Sequence, residues 1–203
     1  ATVSTAQRGM ILNAANPESV VITYEELLRM KKLERRDLVA GKEIIYIYHN
    51  AIDTIGDKPV TETKVFEACK TAIDELTAVV KIIVNDLSAA NIYITSDHGF
   101  LYTYKPLDES QKISRQTFKG DVYELGRRYA LTAIDTSADY LLPVRMDRTL
   151  GGTPTKGYAP QDTVRIKVPG GGENYVHGGI SLQEMVVPVI VYKGMRAGYK
   201  KYI

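Results

Sequence analysis

Asn91-Ile92-Tyr93-Ile94-Thr95-Ser96-Asp97-His98-Gly99 is the stretch from which the fold can be read. The apolar run at its start, β-branched and aromatic, reads as a buried strand. It closes on adjacent Asp97 and His98, followed by a glycine that permits a tight backbone turn. A carboxylate oxygen and an imidazole nitrogen side by side at the carboxyl end of a strand are donors for a divalent metal. In open α/β sheets that end is also where ligands bind.

Working outward, the chain has three histidines, His49, His98 and His177, each following an apolar segment or standing beside glycines. Ile44-Ile45-Tyr46-Ile47-Tyr48 is a second buried strand and runs through His49 into Asp53 and Asp57. Between the two strands, from Thr61 to about Leu87, the apolar residues Val65, Ala68, Cys69, Ala72, Ile73, Leu76, Val79, Val80 and Ile83 recur at three- and four-residue steps. That is an amphipathic helix. Strand, helix, strand predicts a βαβ unit with parallel strands, so the loops bearing Asp53 and Asp97 share one sheet edge. Near the other end, Tyr175-Val176-His177-Gly178-Gly179 precedes a closing strand over 186–192. The expected fold is an α/β protein, a three-layer α/β/α sandwich with strands 44–48, 92–96 and 186–192 in one mainly parallel sheet. Asp53, Asp57, Asp97, His98 and His177 then gather at its carboxyl edge. A lone strand-end Asp is ordinarily a turn or helix cap; Asp and His recurring at three apparent strand ends favour a metal site.

The remaining punctuation is local. Thr23 with Glu26, and Ser181 with Glu184, have capping-box spacing, so short helices follow each, with a charged helix over 34–39 ended by Gly41. Residues 102–126 read as irregular, 127–132 as an edge strand, and 138–147 and 163–168 as half-exposed strands. Gly151-Gly152-Thr153-Pro154 and Pro169-Gly170-Gly171-Gly172 read as loops. The second lacks the Lys-Ser/Thr of a phosphate-binding loop and the spacing of a dinucleotide fingerprint.

At 203 residues, 44% hydrophobic and 25% charged, the chain has the composition of a globular protein with a sizeable core. It has no apolar run of the ~18 residues that span a bilayer. Its single cysteine, Cys69, forms no intrachain disulfide, consistent with a cytoplasmic setting. A net charge of +2 with only small basic pairs (Lys31-Lys32, Arg35-Arg36, Arg127-Arg128, Lys200-Lys201) reads as solvated surface and not as a nucleic-acid face. The chain opens at Ala1 and reads as a single domain over 1–203, truncated at its N-terminal side.

Ile94-Thr95-Ser96-Asp97-His98-Gly99-Phe100-Leu101-Tyr102 resembles the signature of PglZ domains of the alkaline phosphatase superfamily. His177-Gly178-Gly179-Ile180-Ser181 through Ile190 resembles that family's final motif, and Tyr46-Ile47-Tyr48-His49-Asn50 with Asp53 and Gly56-Asp57 also matches. The likeness is to the form found in BREX phage-defence systems of bacteria and archaea. It implies a two-metal hydrolase acting on phosphate esters or nucleic-acid-derived substrates, with other phage-defence proteins as partners and no membrane association. By the same resemblance Asp53, Asp57 and His177 hold one metal. Asp97 and His98 contribute to the second, with an upstream Asp and a nucleophilic Thr or Ser.

The resemblance implies zinc. Asp57 stands where many relatives carry His, and that harder ligand set leaves manganese or magnesium as alternatives to zinc, or a weak or unfilled site in this chain. No segment matches the nucleophile strand, since Thr2, Ser4 and Thr5 lack an apolar lead-in. The chain is therefore expected to be the C-terminal part of a phosphatase or phosphodiesterase domain, to contain no catalytic nucleophile and to be inactive alone. The alternative is a non-catalytic interaction or scaffold module of the same fold. A sulfatase-like or phosphomutase relative is disfavoured by the lack of a Cys/Ser sulfatase motif.

Overall fold

The computed structural model describes residues 4–146, 154–170 and 172–194. Its elements begin with α1 (Thr5–Ala15), β1 (Ser19–Thr23), α2 (Tyr24–Arg29), α3 (Lys32–Val39), β2 (Ile44–Tyr48), α4 (Ala51–Gly56) and α5 (Val65–Ile82). There follow β3 (Asn91–Thr95), β4 (Leu101–Tyr102), β5 (Lys112–Ile113), β6 (Val122–Leu125), β7 (Ala130–Thr132) and β8 (Leu141–Val144). The last are β9 (Lys156–Pro160), β10 (Arg165–Ile166), β11 (Tyr175–Val176), α6 (Leu182–Met185) and β12 (Val189–Lys193). The expected loop over 151–153, Gly171 of the triple-glycine segment, Thr2 and Lys200-Lys201 lie outside the described residues, as does the end of the strand expected over 138–147.

The protein is a mixed α/β chain that groups into two compact units. Unit 1 contains Ala1–Ile52, Glu67–Tyr93 and Val191–Ile203; unit 2 contains Asp53–Phe66 and Ile94–Ile190. In unit 1, β1 and β2 pair in parallel, Ser19 opposite Ile44 through Thr23 opposite Tyr48. Helices α2 and α3 form the crossover between them, and α1 packs on β1. Thr23 ends β1 and caps α2: its hydroxyl accepts from the Glu26 amide at 3.2 Å, and Glu26 accepts from the Thr23 amide at 2.9 Å. Along α5, Ala68, Ala72 and Val79 are buried, at the helical spacing the sequence predicts. Ile73, expected on that stripe, is exposed.

Unit 2 holds a four-stranded antiparallel sheet in the order β6-β7-β9-β8. Its core is built from Ile113, Phe118, Ala130, Leu141, Tyr158, Val164 and Ile166. Two short ladders complete it, β10 parallel to β5 and β11 antiparallel to β4.

The single mainly parallel sheet expected from sequence is not what the hydrogen bonds draw. Strand 44–48 pairs with β1, while β3 pairs with β12 in a separate two-stranded sheet. The parallel crossover is real but lies one element earlier in the chain. The run Val20-Val21-Ile22 that starts it is short and is followed at once by Thr23, which already serves as a helix cap. The strands expected at 127–132 and 163–168 shorten to Ala130–Thr132 and Arg165–Ile166.

Candidate metal centre

The antiparallel pairing of β4 with β11 sets the geometry. Leu101 stands opposite Val176 and Tyr102 opposite Tyr175. His98 lies just before β4 and His177 just after β11, so this register brings the two histidine segments together. Their rings stack with centroids 4.2 Å apart and planes inclined by 3°. The loop expected at Asp53 is the helical turn α4, which places Asp57 one turn beyond Asp53, with the Asp57 amide donating to the Asp53 carbonyl at 2.9 Å. Residues i and i+4 share a helix face.

All five predicted residues fall in unit 2. Asp53, His98 and His177 each offer a donor atom, and the three donors lie within 4.8 Å of one another. Asp53 Oδ2 is 3.7 Å from His98 Nε2. Asp57 Oδ1 is 3.4 Å from His177 Nε2, and Asp97 Oδ1 is 3.8 Å from His98 Nε2 with its side chain largely in solvent. Asp57 and Asp97 thus each flank one histidine of the cluster. His49 has other company, in unit 1: its Nε2 lies 2.6 Å from Glu75 Oε2, and its ring meets the edge of Tyr24.

The donors are held in a defined orientation. His98 Nδ1 is 3.0 Å from the Gly99 carbonyl. A carbonyl only accepts, so Nδ1 carries a proton and Nε2 is the ring atom turned to the cluster. The Tyr175 hydroxyl donates to Asp53 Oδ1 at 2.5 Å, leaving Oδ2 for the cluster. Gly56 makes room for that tyrosine, since a Cβ there would fall 2.7 Å from its ring. Tyr175 is anchored by the buried carboxylate of Glu62, which accepts the amides of Glu173, Asn174 and Tyr175 at 2.9–3.1 Å.

Glu184 ties the two histidine segments together. Its backbone carbonyl accepts the Gly99 amide at 2.8 Å, and its carboxylate accepts the Gly179 amide at 3.0 Å. The expected capping box with Ser181 is present. The same carboxylate meets the guanidinium of Arg128 through two bonds of 2.9 and 3.0 Å, both side chains being fully buried. The reading of Arg127-Arg128 as solvated surface therefore fails: Arg128 is interior, and Arg127 donates to the Gly172 and Tyr175 carbonyls.

Gly99 is also a glycine for another reason than the turn expected of it. A Cβ there would collide with the Gln183 backbone carbonyl. Gly99→Ala is therefore expected to cost about 1–3 kcal/mol, the range for overpacking a rigid site, read as a lower urea midpoint at unchanged slope.

His177 Nε2 pairs with the Asp57 carboxylate. The hydrogen bond to Asp57, with the charges of Asp53 and Asp57, holds the His177 imidazole above its ordinary value against burial and Arg127. The hydrogen bond from His177 in turn holds Asp57 below its own. Two imidazoles and a carboxylate, oriented from behind by Tyr175 and the Gly99 carbonyl, are donors of the types that can hold a divalent cation. Sequence reasoning missed Tyr175, Glu62 and the interior role of Arg128. For Tyr175 a signal exists, because positions 175 and 177 of an extended segment share a face.

A sequence model of the BREX system PglZ alkaline phosphatase-like domain matches residues 1–192. The chain is 38% identical over 199 residues to the "Alkaline phosphatase-like protein PglZ" of Bacillus cereus (strain H3081.97), which covers 98% of the chain and 23% of that protein. It is 33% identical over 181 residues to the "Alkaline phosphatase-like protein BrxZ" of Escherichia coli O9:H4 (strain HS), covering 89% of the chain and 21% of that protein. The chain spans less than a quarter of the length of these curated relatives.

Proposed function

Since this chain belongs to the family of BREX system PglZ alkaline phosphatase-like domains, we propose that it supplies part of a divalent-metal centre for phosphate ester hydrolysis in a phage-defence protein. The observation that carries this reading is the convergence of Asp53, His98 and His177 donors within 4.8 Å. Two nitrogens and one oxygen suit zinc, with manganese or magnesium favoured if Asp57 and Asp97 also ligate. A bound ion would supply Lewis-acid polarisation of a phosphoryl oxygen and activation of a hydroxyl nucleophile. The chain's own residues hold and orient: Tyr175 fixes the Asp53 carboxylate, the Gly99 carbonyl fixes the His98 tautomer, and Glu184 fixes both loops. Asp57 flanks His177 at Nε2.

In this reading the nucleophile comes from parts of the longer protein that the chain does not span. The small sheets belong to a larger three-layer α/β/α sandwich there, in a cytoplasmic protein working with other defence components. No helix among the described residues is long and apolar enough to cross a membrane.

Zinc titration of the chain against a chromophoric chelator tests the centre. Weak binding is expected, and Tyr175→Phe, which frees Asp53, should weaken it about 10–100-fold, as loss of an outer-shell partner does. Equal zinc affinity in both proteins would remove Tyr175 from the centre.

A second reading, an interaction module without catalysis, is favoured by one observation: Val189, Ile190, Val191 and Tyr192 of β12 are all exposed. Phage protection by a full-length protein that persists after His177→Ala would select it.

A further inference from the structure

Arg165 is a cation that the metal centre does not use. Its residue is 5% exposed, and its Nη2 donates to two neutral acceptors, Thr103 Oγ1 at 3.0 Å and the Asn174 carbonyl at 3.2 Å. Its Nε is buried with no hydrogen-bond partner among the described residues. A buried donor left unpaired in a native fold calls for a partner. Arg165 lines a cavity of about 460 Å³, within the ~300–1,000 Å³ range of small-molecule sites.

The wall of that cavity is rich in cations. Arg115 and Arg127 line it with Arg165. Its acids are already engaged: Glu109 pairs with Lys112 at 3.2 Å and Lys167 at 2.5 Å, and Glu173 pairs with Lys112 at 3.6 Å. Burial, then the neighbouring charges of Arg127 and Arg128, push the Arg165 guanidinium down to about 10. It therefore stays cationic at neutral pH, and an anion between these groups relieves their repulsion. Leu107 and Val168 add apolar wall.

We propose that this cavity binds a small organic phosphate of nucleoside monophosphate size, its phosphate on the Arg165 and Arg127 guanidiniums and its organic part against Leu107 and Val168. Tetrahedral phosphate accepts from several forked donors at once, which is the match arginine makes better than lysine. Arg127 Nη2 also stands 3.8 Å from Asp57 Oδ1, so a phosphate here is one side chain away from the carboxylate–imidazole cluster. The proposal goes beyond the metal reading and needs no ion.

Calorimetric titration of the chain with adenosine monophosphate, adenosine and inorganic phosphate, all in excess EDTA, tests it. Adenosine monophosphate should bind more tightly than either of the others. Arg165→Lys, which keeps the charge and loses the fork, should weaken it by about tenfold. Arg115→Glu, at an exposed position, should weaken it by a similar factor and decides the matter if Arg165→Lys does not fold. Adenosine or inorganic phosphate binding as tightly as the nucleotide would overturn the proposal, as would nucleotide affinity unchanged in Arg115→Glu. Because chelator is present throughout, failure of the zinc titration leaves this result untouched, and the reverse.

Discussion

Arg128→Met is expected to destabilise the chain by about 3–5 kcal/mol, the cost of removing one partner from a buried ion pair. The side chain it replaces is fully buried and makes both bonds to the Glu184 carboxylate, besides one to the Val164 carbonyl at 2.5 Å. Methionine fills much of the volume but leaves Glu184 charged in the interior, with only the Gly179 and Ser181 donors. Urea denaturation measures this, and a loss under about 1 kcal/mol would show that water reaches the pair.

The same pair sets an acid limit. Burial pushes the Glu184 carboxyl up, but Arg128, the Ser181 hydroxyl and the Gly179 amide outweigh it and hold the group below its ordinary 4.5. A depressed folded value means the stabilisation is complete above the unfolded value and is lost as pH falls through the folded one. The wild-type chain should therefore lose stability below about pH 4.5, and Glu184→Gln should lose less over that interval.

His98→Ala in a full-length protein carrying this chain should reduce phosphate ester hydrolysis by about a hundredfold or more, beyond the ~10–100-fold of an outer-shell partner. The ring it removes stands at the meeting of Asp53, Asp97 and His177. In the isolated chain no turnover is expected from either version, because covalent phosphoryl transfer needs an activated hydroxyl. Assays with generic phosphate mono- and diesters check both arms. Robust metal-stimulated turnover by the isolated chain, lost in His98→Ala, would place a nucleophile within residues 1–203.

Legibility from sequence followed the range of the interaction. Strand 44–48 is five consecutive apolar or aromatic residues and is read to the residue. The α5 stripe and the capping boxes at Thr23 and Ser181 are patterns of three or four residues. The three donors that converge are each visible as an Asp or His at the end of an apolar run. What holds them is not visible. Glu62 meets Tyr175 across 113 positions and Arg128 meets Glu184 across 56, and no local pattern encodes a partner so distant. A charged pair such as Arg127-Arg128 is taken for surface because arginine is almost never fully buried without a partner. The two-residue strands β4 and β11 are too short to show a period, yet their register brings His98 to His177. Helix α1 carries little signal in the sequence, since its cap is one serine, Ser4, accepting from the Gln7 amide.

Glu184 has one further consequence. Its carbonyl and its carboxylate hold the two histidine loops in place before any ion arrives. The entropy of gathering those rings is therefore given up when the chain folds, and under the proposed reading a cation would order little additional backbone. Folding and ion capture then share a single latch. Conditions that loosen it should show first as lost cation affinity, while the antiparallel sheet of unit 2 still stands.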